Sequence, residues 1–372
     1  MTSVLQLALR GAVSVSGGSG GVTFDRLPAE AHSRYGAIRG IREASTQASG
    51  VRLELRTAAT WMELDLAITR YRFDPSRPAA PAVVVATLEE GTSLEVSLAE
   101  SPVHTFAPPD VDDVQPGVPE TARFSLGGDG SNRAVTVWLP HTAAVRLLDL
   151  RADRTIASAP RSGPRWTHYG SSISHCIEAR TPLDVWPVVA ARELGLDLTS
   201  LGIAGQAHLD PFAADAIAAA PADVISLEVG INIVGAASMR ERTFVPAMHG
   251  FLDRIRSAHP AAPLLLISPI ICPALENEPG PAVSDGTRIR AAGIERAPGD
   301  GLLTVTRVRD LLIDVVASRG DAALLYLDGR ELFGAVDLDH LFDGVHPDSE
   351  GYRRIGHRFV THTRRLGWMA DS

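Results

Sequence analysis

The chain has 372 residues, a formal net charge of −9, 45% hydrophobic residues and 21% charged residues. At roughly 150 residues per domain this length predicts two domains, and the composition is that of a folded protein with a sizeable core. The acidic balance argues against nucleic acid as a partner, because a phosphate backbone is bound by a basic face.

All 35 basic residues counted as Lys or Arg are arginine, and the chain contains no lysine. This excludes a Schiff-base lysine, and with it an enzyme that anchors pyridoxal phosphate. It also excludes a phosphate-binding loop of the kind that needs a lysine for nucleoside triphosphates. We therefore expect chemistry that depends on other side chains and on no cofactor.

The two cysteines, Cys176 and Cys272, are too few for a disulfide framework, and their spacing is not that of a metal site. The first ten residues lack a basic start, and Arg10 interrupts the apolar stretch early. The sequence therefore predicts neither a signal peptide nor a membrane-spanning helix. We expect a cytoplasmic protein with reduced thiols and no membrane partner.

Residues 1–158 form the first predicted domain, in which short runs alternate apolar and polar residues. Val51–Leu55 and Met62–Leu66 are examples. Similar runs are found at 82–86, 93–98, 121–126 and 134–139. Alternation with a period of two predicts strands with one buried face, and the glycines of 17–21 and the segment 108–119 supply a hairpin turn and a longer loop. Several such strands predict an all-β sandwich.

Residues 159–372 form the second predicted domain, in which apolar strand-like runs alternate with helical patterns. The runs are 166–169, 196–203, 224–229, 264–267 and 324–327, and the helical patterns are 183–195, 211–219, 238–258, 303–318 and 349–366. This alternation predicts a parallel sheet covered by helices on both faces. The expected fold is a doubly wound, flavodoxin-like α/β/α sandwich of three layers.

Polar residues and glycines follow three of these predicted strands and precede the last helix. The first strand is followed by Gly170-Ser171-Ser172, the second by Gly205 and the third by Asn232. Asp343 and His346 lie in the loop before the last helix. Because sites in such sheets lie beyond the carboxyl ends of the strands, we expect these segments to meet at one edge.

These residue types suit acyl transfer by serine. Ser172 supplies a hydroxyl and His346 a base that can take its proton. Asp343, three residues before the histidine, can accept a hydrogen bond from the other imidazole nitrogen. The oxyanion donors would be the backbone N–H groups of Ser172 and Gly205 and the side-chain amide of Asn232, each worth about 3 kcal/mol.

Each of these residues also has a plain structural interpretation. A serine between a strand and a helix commonly caps the helix, so Ser172 could be an N-cap. Asn232 could cap the helix that follows it in the same way. Gly205 fits an ordinary turn, and Asp343 with His346 fits a solvated loop. Four such segments in this order, each after the appropriate element, favour the catalytic interpretation.

Three further histidines lie near these segments, namely His168, His175 and His208. They invite a metal interpretation, but there is no H-E-x-x-H motif and no paired carboxylate at ligand spacing. We predict no metal, and we treat His175 and His208 as candidate substrate-binding residues.

The four segments resemble the sequence blocks of the SGNH, or GDSL, acylhydrolase family over about 165–365. Gly170-Ser171-Ser172-Ile173-Ser174 resembles the G-D-S-[IL]-[ST] block, and Gly205 and Asn232 match the oxyanion residues. Asp343 and His346 match the D-x-x-H block. Two departures are Ser171 and Ile233, which stand where the family most often has aspartate.

The resemblance implies an acyl-serine intermediate formed on Ser172. Its partners would be a small-molecule ester or acyl-thioester donor, and either water or a hydroxyl compound as acceptor. Esterase and acyltransferase remain open, because both use the same residues. Some members carry an N-terminal β-sandwich that resembles a carbohydrate-binding module, and one characterised relative of that layout is similar to an acyltransferase of natural-product biosynthesis. The remaining alternative is a non-catalytic carbohydrate-binding scaffold.

Overall fold

The computed structural model describes residues 3–35, 38, 40–73, 75, 78–107, 111–295, 297 and 299–369. The chain divides into two compact units, one of residues 1–162 with 180–183 and the other of residues 163–179 with 184–372. The domain boundary expected between residues 158 and 159 stays a prediction. No helix in the described part of the chain is long and apolar enough to cross a lipid bilayer.

The first unit is built on two β-sheets. Its strands are β1 (Leu9–Arg10), β2 (Ser14–Gly18), β3 (Gly21–Asp25), β4 (Arg52–Thr57), β5 (Trp61–Arg72), β6 (Ala82–Leu88), β7 (Ser93–Leu98), β8 (Val103–Ala107), β9 (Val111–Gln115), β10 (Glu120–Ser125), β11 (Arg133–Trp138), β12 (Ala143–Ala152) and β13 (Ile156–Ser158). One sheet has the order β1-β4-β11-β6-β7, with β13 beside β4. The other has the order β2-β3-β12-β5-β8-β9, with β10 beside β5.

Alternation along the strands builds the core of this unit. In β5 every second side chain from Met62 to Ile68 is buried, while the residues between them are partly exposed. Leu53 of β4 and Val137 of β11, from the other sheet, belong to the same cluster of buried residues. Two sheets that bury their apolar faces in one core form a β-sandwich, as the period-two pattern predicted.

This unit differs in two respects from the all-β expectation. Its described residues include three short helices, α1 (Val4–Ala8), α2 (Ala29–Tyr35) and α3 (Ile41–Ser45). Helices of five to seven residues are too short to show a helical period, and α1 depends instead on a capping box between Ser3 and Gln6. The segment predicted as a loop at 108–119 contains β9, while residues 108–110 lie outside the described residues.

The second unit contains a five-stranded sheet made of β14 (Arg165–Gly170), β15 (Asp197–Gly202), β16 (Val224–Glu228), β17 (Leu264–Ile267) and β20 (Leu324–Leu327). The spatial order is β15-β14-β16-β17-β20, and all four neighbouring pairs are parallel. Numbered along the chain this is the order 2-1-3-4-5, which confirms the predicted flavodoxin-like fold. All five strands coincide with predicted apolar runs.

The helices of this unit are α4 (Ser172–His175), α5 (Trp186–Leu194), α6 (Pro211–Ala219), α7 (Ile231–Gly235), α8 (Glu241–Ala258), α9 (Val305–Arg319), α10 (Gly329–Leu332) and α11 (Ser349–Leu366). A small hairpin of β18 (Ala282–Ser284) and β19 (Ile289–Ala291) is also present. The five long helical patterns correspond to α5, α6, α8, α9 and α11. The hairpin and the short helices were not predicted.

Aromatic side chains pack α5 and α11 against the sheet of the second unit. Trp166 of β14 stacks on Phe359 of α11 with ring centroids 5.2 Å apart, and Trp186 of α5 lies 5.1 Å from the same phenyl ring. These side chains are fully buried. This aromatic cluster therefore packs α5 and α11 against β14.

Candidate active site

The candidate nucleophile lies where β14 passes into α4. Ser171 is the N-cap of this helix, and its Oγ accepts a hydrogen bond of 3.1 Å from the Ile173 amide. The capping function therefore falls on Ser171, which leaves the hydroxyl of Ser172 available for other chemistry. The Ser172 amide lies in the first helical turn, where N–H groups have no intrahelical acceptor.

Two glycines let α4 approach the sheet closely. A Cβ on Gly202 would lie 2.6 Å from the backbone nitrogen of His175, and a Cβ on Gly170 would lie 2.2 Å from Ser174 Oγ. Any side chain at these positions would push the helix outward. The pair of glycines therefore fixes the distance between the nucleophile and the strand ends.

Ser172, His346 and Asp343 form a continuous hydrogen-bonded relay. Ser172 Oγ lies 2.9 Å from His346 Nε2, and His346 Nδ1 lies 2.6 Å from Asp343 Oδ2. With Nδ1–H donating to the carboxylate, Nε2 is free to accept the serine proton. Ser172 is 8% exposed, so the hydroxyl is sheltered and still reachable.

The loop that carries the acid and the base is held by its own carboxylate. Asp343 Oδ1 accepts from the amides of Val345 at 2.9 Å and His346 at 2.7 Å. Burial would raise the pKa of Asp343, but its hydrogen bonds to His346 and the charge of that imidazole outweigh burial and lower it. Asp343 is therefore ionised, as an imidazole orienter must be.

The pKa of His346 is raised from its ordinary value to about 9. Burial acts in the opposite direction, and the negative charges of Glu178 and Asp343, with the hydrogen bond to Asp343, overcome it. A neutral imidazole is needed to take a proton from serine. The fraction of competent base in the free protein therefore increases as the pH rises through about 9, where half of the imidazole is neutral.

Asn232 is oriented by an amide from the neighbouring loop. Its Oδ1 accepts a hydrogen bond of 3.1 Å from the Ala207 amide, so its Nδ2 keeps two protons for another acceptor. The turn before it needs Gly230, which has φ +120 and would otherwise place a Cβ 2.5 Å from Val308 Cγ1. The predicted oxyanion side chain thus presents a donor in a fixed orientation.

Gly205 lies on an exposed turn after β15. Its φ is +71, and a Cβ there would meet no atom within 4 Å. Backbone conformation rather than space therefore favours glycine at this position. Gln206 N donates to Ile203 O at 3.0 Å and closes the turn.

The two candidate substrate-binding histidines both contact this turn. His175 is fully buried, and its Nδ1 lies 3.4 Å from the Ala204 amide. His208 is partly exposed and bridges Ser238 Oγ at 2.8 Å and Gly205 O at 3.1 Å. Both therefore help to fix the turn, and their binding of substrate stays a prediction.

A buried carboxylate supports the nucleophile turn from the next strand. Glu228, at the end of β16, is 2% exposed, and its Oε2 accepts from the Ser171 amide at 2.9 Å and from Ser171 Oγ at 2.6 Å. Burial raises its pKa, although the bonds from Ser171 and Ser174 oppose this. No sequence motif indicates that Glu228 is the partner of Ser171.

His168, considered above for a metal, belongs to the same buried network. Its Nδ1 lies 2.7 Å from Ser226 Oγ and its Nε2 lies 2.8 Å from Ser174 Oγ. Burial lowers its pKa to about 3, so the ring is neutral. Within the described residues, no group of three or more His, Cys, Asp or Glu side chains is arranged to hold a metal ion.

Glu178 is the other functional candidate that sequence reasoning missed. Its Oε1 lies 3.8 Å from His346 Nδ1, on the same nitrogen that bonds Asp343. No sequence motif surrounds Glu178. It is distant from His346 in the sequence, and only the folded chain brings the two side chains together.

Comparison with known proteins covers both units. The sequence model of the SsfX3 N-terminal domain matches residues 7–147, whereas no curated protein sequence matches the chain. The structure is similar to the salicylyl-acyltransferase SsfX3 from a tetracycline biosynthetic pathway, at 28% identity and TM-score 0.78, over 97% of this chain and 95% of that one.

Two more distant structures share the fold. A GDSL-like lipase candidate from Bacteroides ovatus ATCC 8483 has 16% identity and TM-score 0.70, over 98% of this chain and 97% of that one. A family two carbohydrate esterase from Cellvibrio japonicus has 10% identity and TM-score 0.60, over 99% and 98%. The sequence model of the GDSL-like lipase/acylhydrolase family matches residues 168–354, half of the chain and all of the relay, so the chain belongs to this family of enzymes.

Proposed function

We propose that this enzyme transfers acyl groups through a covalent intermediate on Ser172. The observation that supports this most directly is the relay from Ser172 Oγ to His346 Nε2 and from His346 Nδ1 to Asp343. This is the geometry in which one imidazole can serve as base and then as acid.

In the first half-reaction Ser172 Oγ attacks the acyl carbonyl while His346 Nε2 takes the hydroxyl proton. The tetrahedral oxyanion accepts hydrogen bonds from the Ser172 and Gly205 amides and from Asn232 Nδ2. As the bond to the leaving group breaks, His346 returns the proton to the departing alcohol or thiol. Asp343 stabilises the transient imidazolium but keeps its own charge.

In the second half-reaction an acceptor takes the place of the leaving group. His346 removes its proton, the acceptor oxygen attacks the acyl-Ser172 carbonyl, and the serine hydroxyl is regenerated. Water as acceptor gives ester hydrolysis, and a hydroxyl compound gives acyl transfer. The same residues perform both reactions, so the acceptor alone decides between them.

We propose a small-molecule hydroxyl as the acceptor and an ester or acyl thioester as the donor. The similarity to a salicylyl-acyltransferase at 28% identity over nearly the whole chain supports transfer, and natural-product tailoring with it. The family two carbohydrate esterases share the fold alone, and a carbohydrate-binding role for the sandwich unit stays a prediction. The cytoplasmic location expected from the sequence also stays a prediction.

Intact-mass analysis of the protein with activated acyl esters and thioesters tests the intermediate. We expect one acyl adduct on the wild type and none on Ser172→Ala, because the attacking oxygen is lost. The experiment is unusually clean because the chain has no lysine to be acylated chemically, and both cysteines are buried. An equal adduct on both proteins would refute the proposal.

Product partition tests the choice of acceptor. With a fixed donor and increasing concentrations of a hydroxyl compound, we expect ester product at the expense of free acid. If a panel of phenolic and aliphatic alcohols never diverts the acyl group from water, the enzyme is a hydrolase.

Asn232→Ala is expected to lower kcat by about 10² to 10³, because one oxyanion donor is lost. Its matched control is Asn232→Asp, which keeps an acceptor for the Ala207 amide but removes the donor. We expect both variants to lose kcat, with a smaller change in KM, in steady-state assays with an activated ester. Full activity of Asn232→Asp would mean that the residue only holds the Ala207 loop.

A further inference from the structure

A second carboxylate lies beside the catalytic imidazole. His346 Nδ1 bonds Asp343 Oδ2 at 2.6 Å, and Glu178 Oε1 lies 3.8 Å from the same nitrogen. The Glu178 contact is too long for a hydrogen bond but short enough for a strong charge interaction at a largely buried site. The imidazole is therefore faced by two acids rather than one.

Glu178 is held in this place by α11. The hydroxyl of Tyr352 donates to Glu178 Oε2 at 2.7 Å, and Tyr352 is fully buried. Burial, and then the negative charge of Glu178, raise the pKa of the Tyr352 hydroxyl well above its usual value, so it remains a donor. One carboxylate oxygen is thus anchored, and the other is turned towards His346.

The backbone also directs Glu178 to the site. α4 ends at His175, and its C-cap residue Cys176 adopts the left-handed conformation with φ 59. Ala179 N then donates to Cys176 O at 3.0 Å, which closes a tight turn around Glu178. A non-glycine residue in this conformation is uncommon, and here it reverses the chain directly after the nucleophile helix.

We propose that Glu178 is a positioning residue that adds a second negative charge at His346 Nδ1, so that two carboxylates stabilise the imidazolium formed during acyl transfer. This inference deepens the proposed function and rests on it. Glu178 acts through the imidazole and makes no covalent contribution.

The groups that face His346 support a net negative environment. Glu178 comes from the turn after α4, Asp343 from the loop of His346 itself, and Tyr352 from α11. Cys176 interacts with Tyr352 and Glu178, and burial raises the pKa of its thiol well above the usual value, so it is neutral. The charges of Glu178 and Asp343 are what raise the pKa of His346 to about 9 against the effect of burial.

The sharpest variant is Glu178→Gln, which removes the charge but keeps an oxygen for the Tyr352 hydroxyl. We expect the acid limb of kcat/KM, which reports the free enzyme, to move to lower pH by about one unit. Plateau activity should fall, because the imidazolium loses stabilisation. The variant therefore retains relatively more activity at acidic pH than at alkaline pH.

The control is Glu193→Gln, which makes the same charge change in α5, where Glu193 pairs with His357. We expect Glu193→Gln to keep the acid limb of kcat/KM at its wild-type pH. The second measurement is the pKa of His346 from NMR of its ring nitrogens, which needs no turnover. If the acid limb of kcat/KM and the NMR pKa of His346 both stay at their wild-type values in Glu178→Gln, the inference is overturned.

The two proposals fail separately. Loss of the acyl adduct on Ser172 would remove the proposed function, whatever the NMR titration gives. A normal adduct in Glu178→Gln with an unchanged His346 pKa would remove only the role of Glu178, leaving that side chain as a structural partner of Tyr352.

Discussion

His346→Ala is expected to lower kcat on the order of 10⁶-fold, about as much as Ser172→Ala. Without Nε2 the Ser172 hydroxyl has no base 2.9 Å away and stays protonated. The leaving group also loses its proton donor. The measurement is single-turnover acylation by an activated ester, with circular dichroism to verify folding.

The double variant Ser172→Ala/His346→Ala gives the sharper result. Because the two residues act as one unit, we expect the double loss to be no greater than either single loss. His357→Ala is the control, since this exposed histidine pairs with Glu193 on the surface and should leave kcat unchanged. If the loss in kcat of the double variant equals the product of the two single losses, the two residues do not act as one unit.

Asp343→Asn is expected to lower kcat on the order of 10⁴-fold. The amide retains an oxygen for the Val345 and His346 backbone N–H groups, so the loop is preserved. What it loses is the charge that fixes Nδ1–H and stabilises the imidazolium. The loss should be smaller than for His346→Ala, because the base itself remains.

The pH profile gives this variant a second readout. Asp343 is one of the groups that raise the pKa of His346 to about 9, so its neutralisation lowers that pKa. The acid limb of kcat/KM should therefore move to lower pH, in the same direction as for Glu178→Gln. Activity of Asp343→Asn within tenfold of the wild type would reduce Asp343 to a loop-fixing acceptor.

The sheet of the second unit was predictable because its strands are buried on both faces. Leu264–Ile267 is apolar and buried at every position, and such continuous apolar runs between helical patterns leave few alternatives to a parallel sheet. The hairpin β18–β19 escaped prediction because strands of three residues carry too little pattern.

The relay was predictable because topology brings the carboxyl ends of parallel strands together. Ser172, Asn232 and the loop of His346 follow predicted elements, so their order along the chain already indicates one edge. Ser171 illustrates the limit of this reasoning. The sequence interpretation considered capping for Ser172 only, and the hydrogen bond from Ile173 N assigns the cap to Ser171 instead.

Glu178 could not be found from the sequence for a different reason. Its position depends on the left-handed residue Cys176 and on a hydroxyl from Tyr352, which is 174 residues distant. Neither contact leaves a periodic or motif signal. Glu228 was visible as a polar residue at a strand end, but its bond to Ser171 crosses from one strand to the next.

That bond has an evolutionary consequence. Glu228 supplies a carboxylate to position 171, where the family most often has aspartate and this chain has serine. An aspartate at 171 would bring two acids into one buried site, and they could not both be ionised. Positions 171 and 228 should therefore covary among relatives, with an acidic residue at one of the two positions. Such a turn is then identified by the pair of positions 171 and 228 together. A search for a fixed sequence motif around the nucleophile would overlook relatives in which the acidic residue lies at position 228 instead of 171.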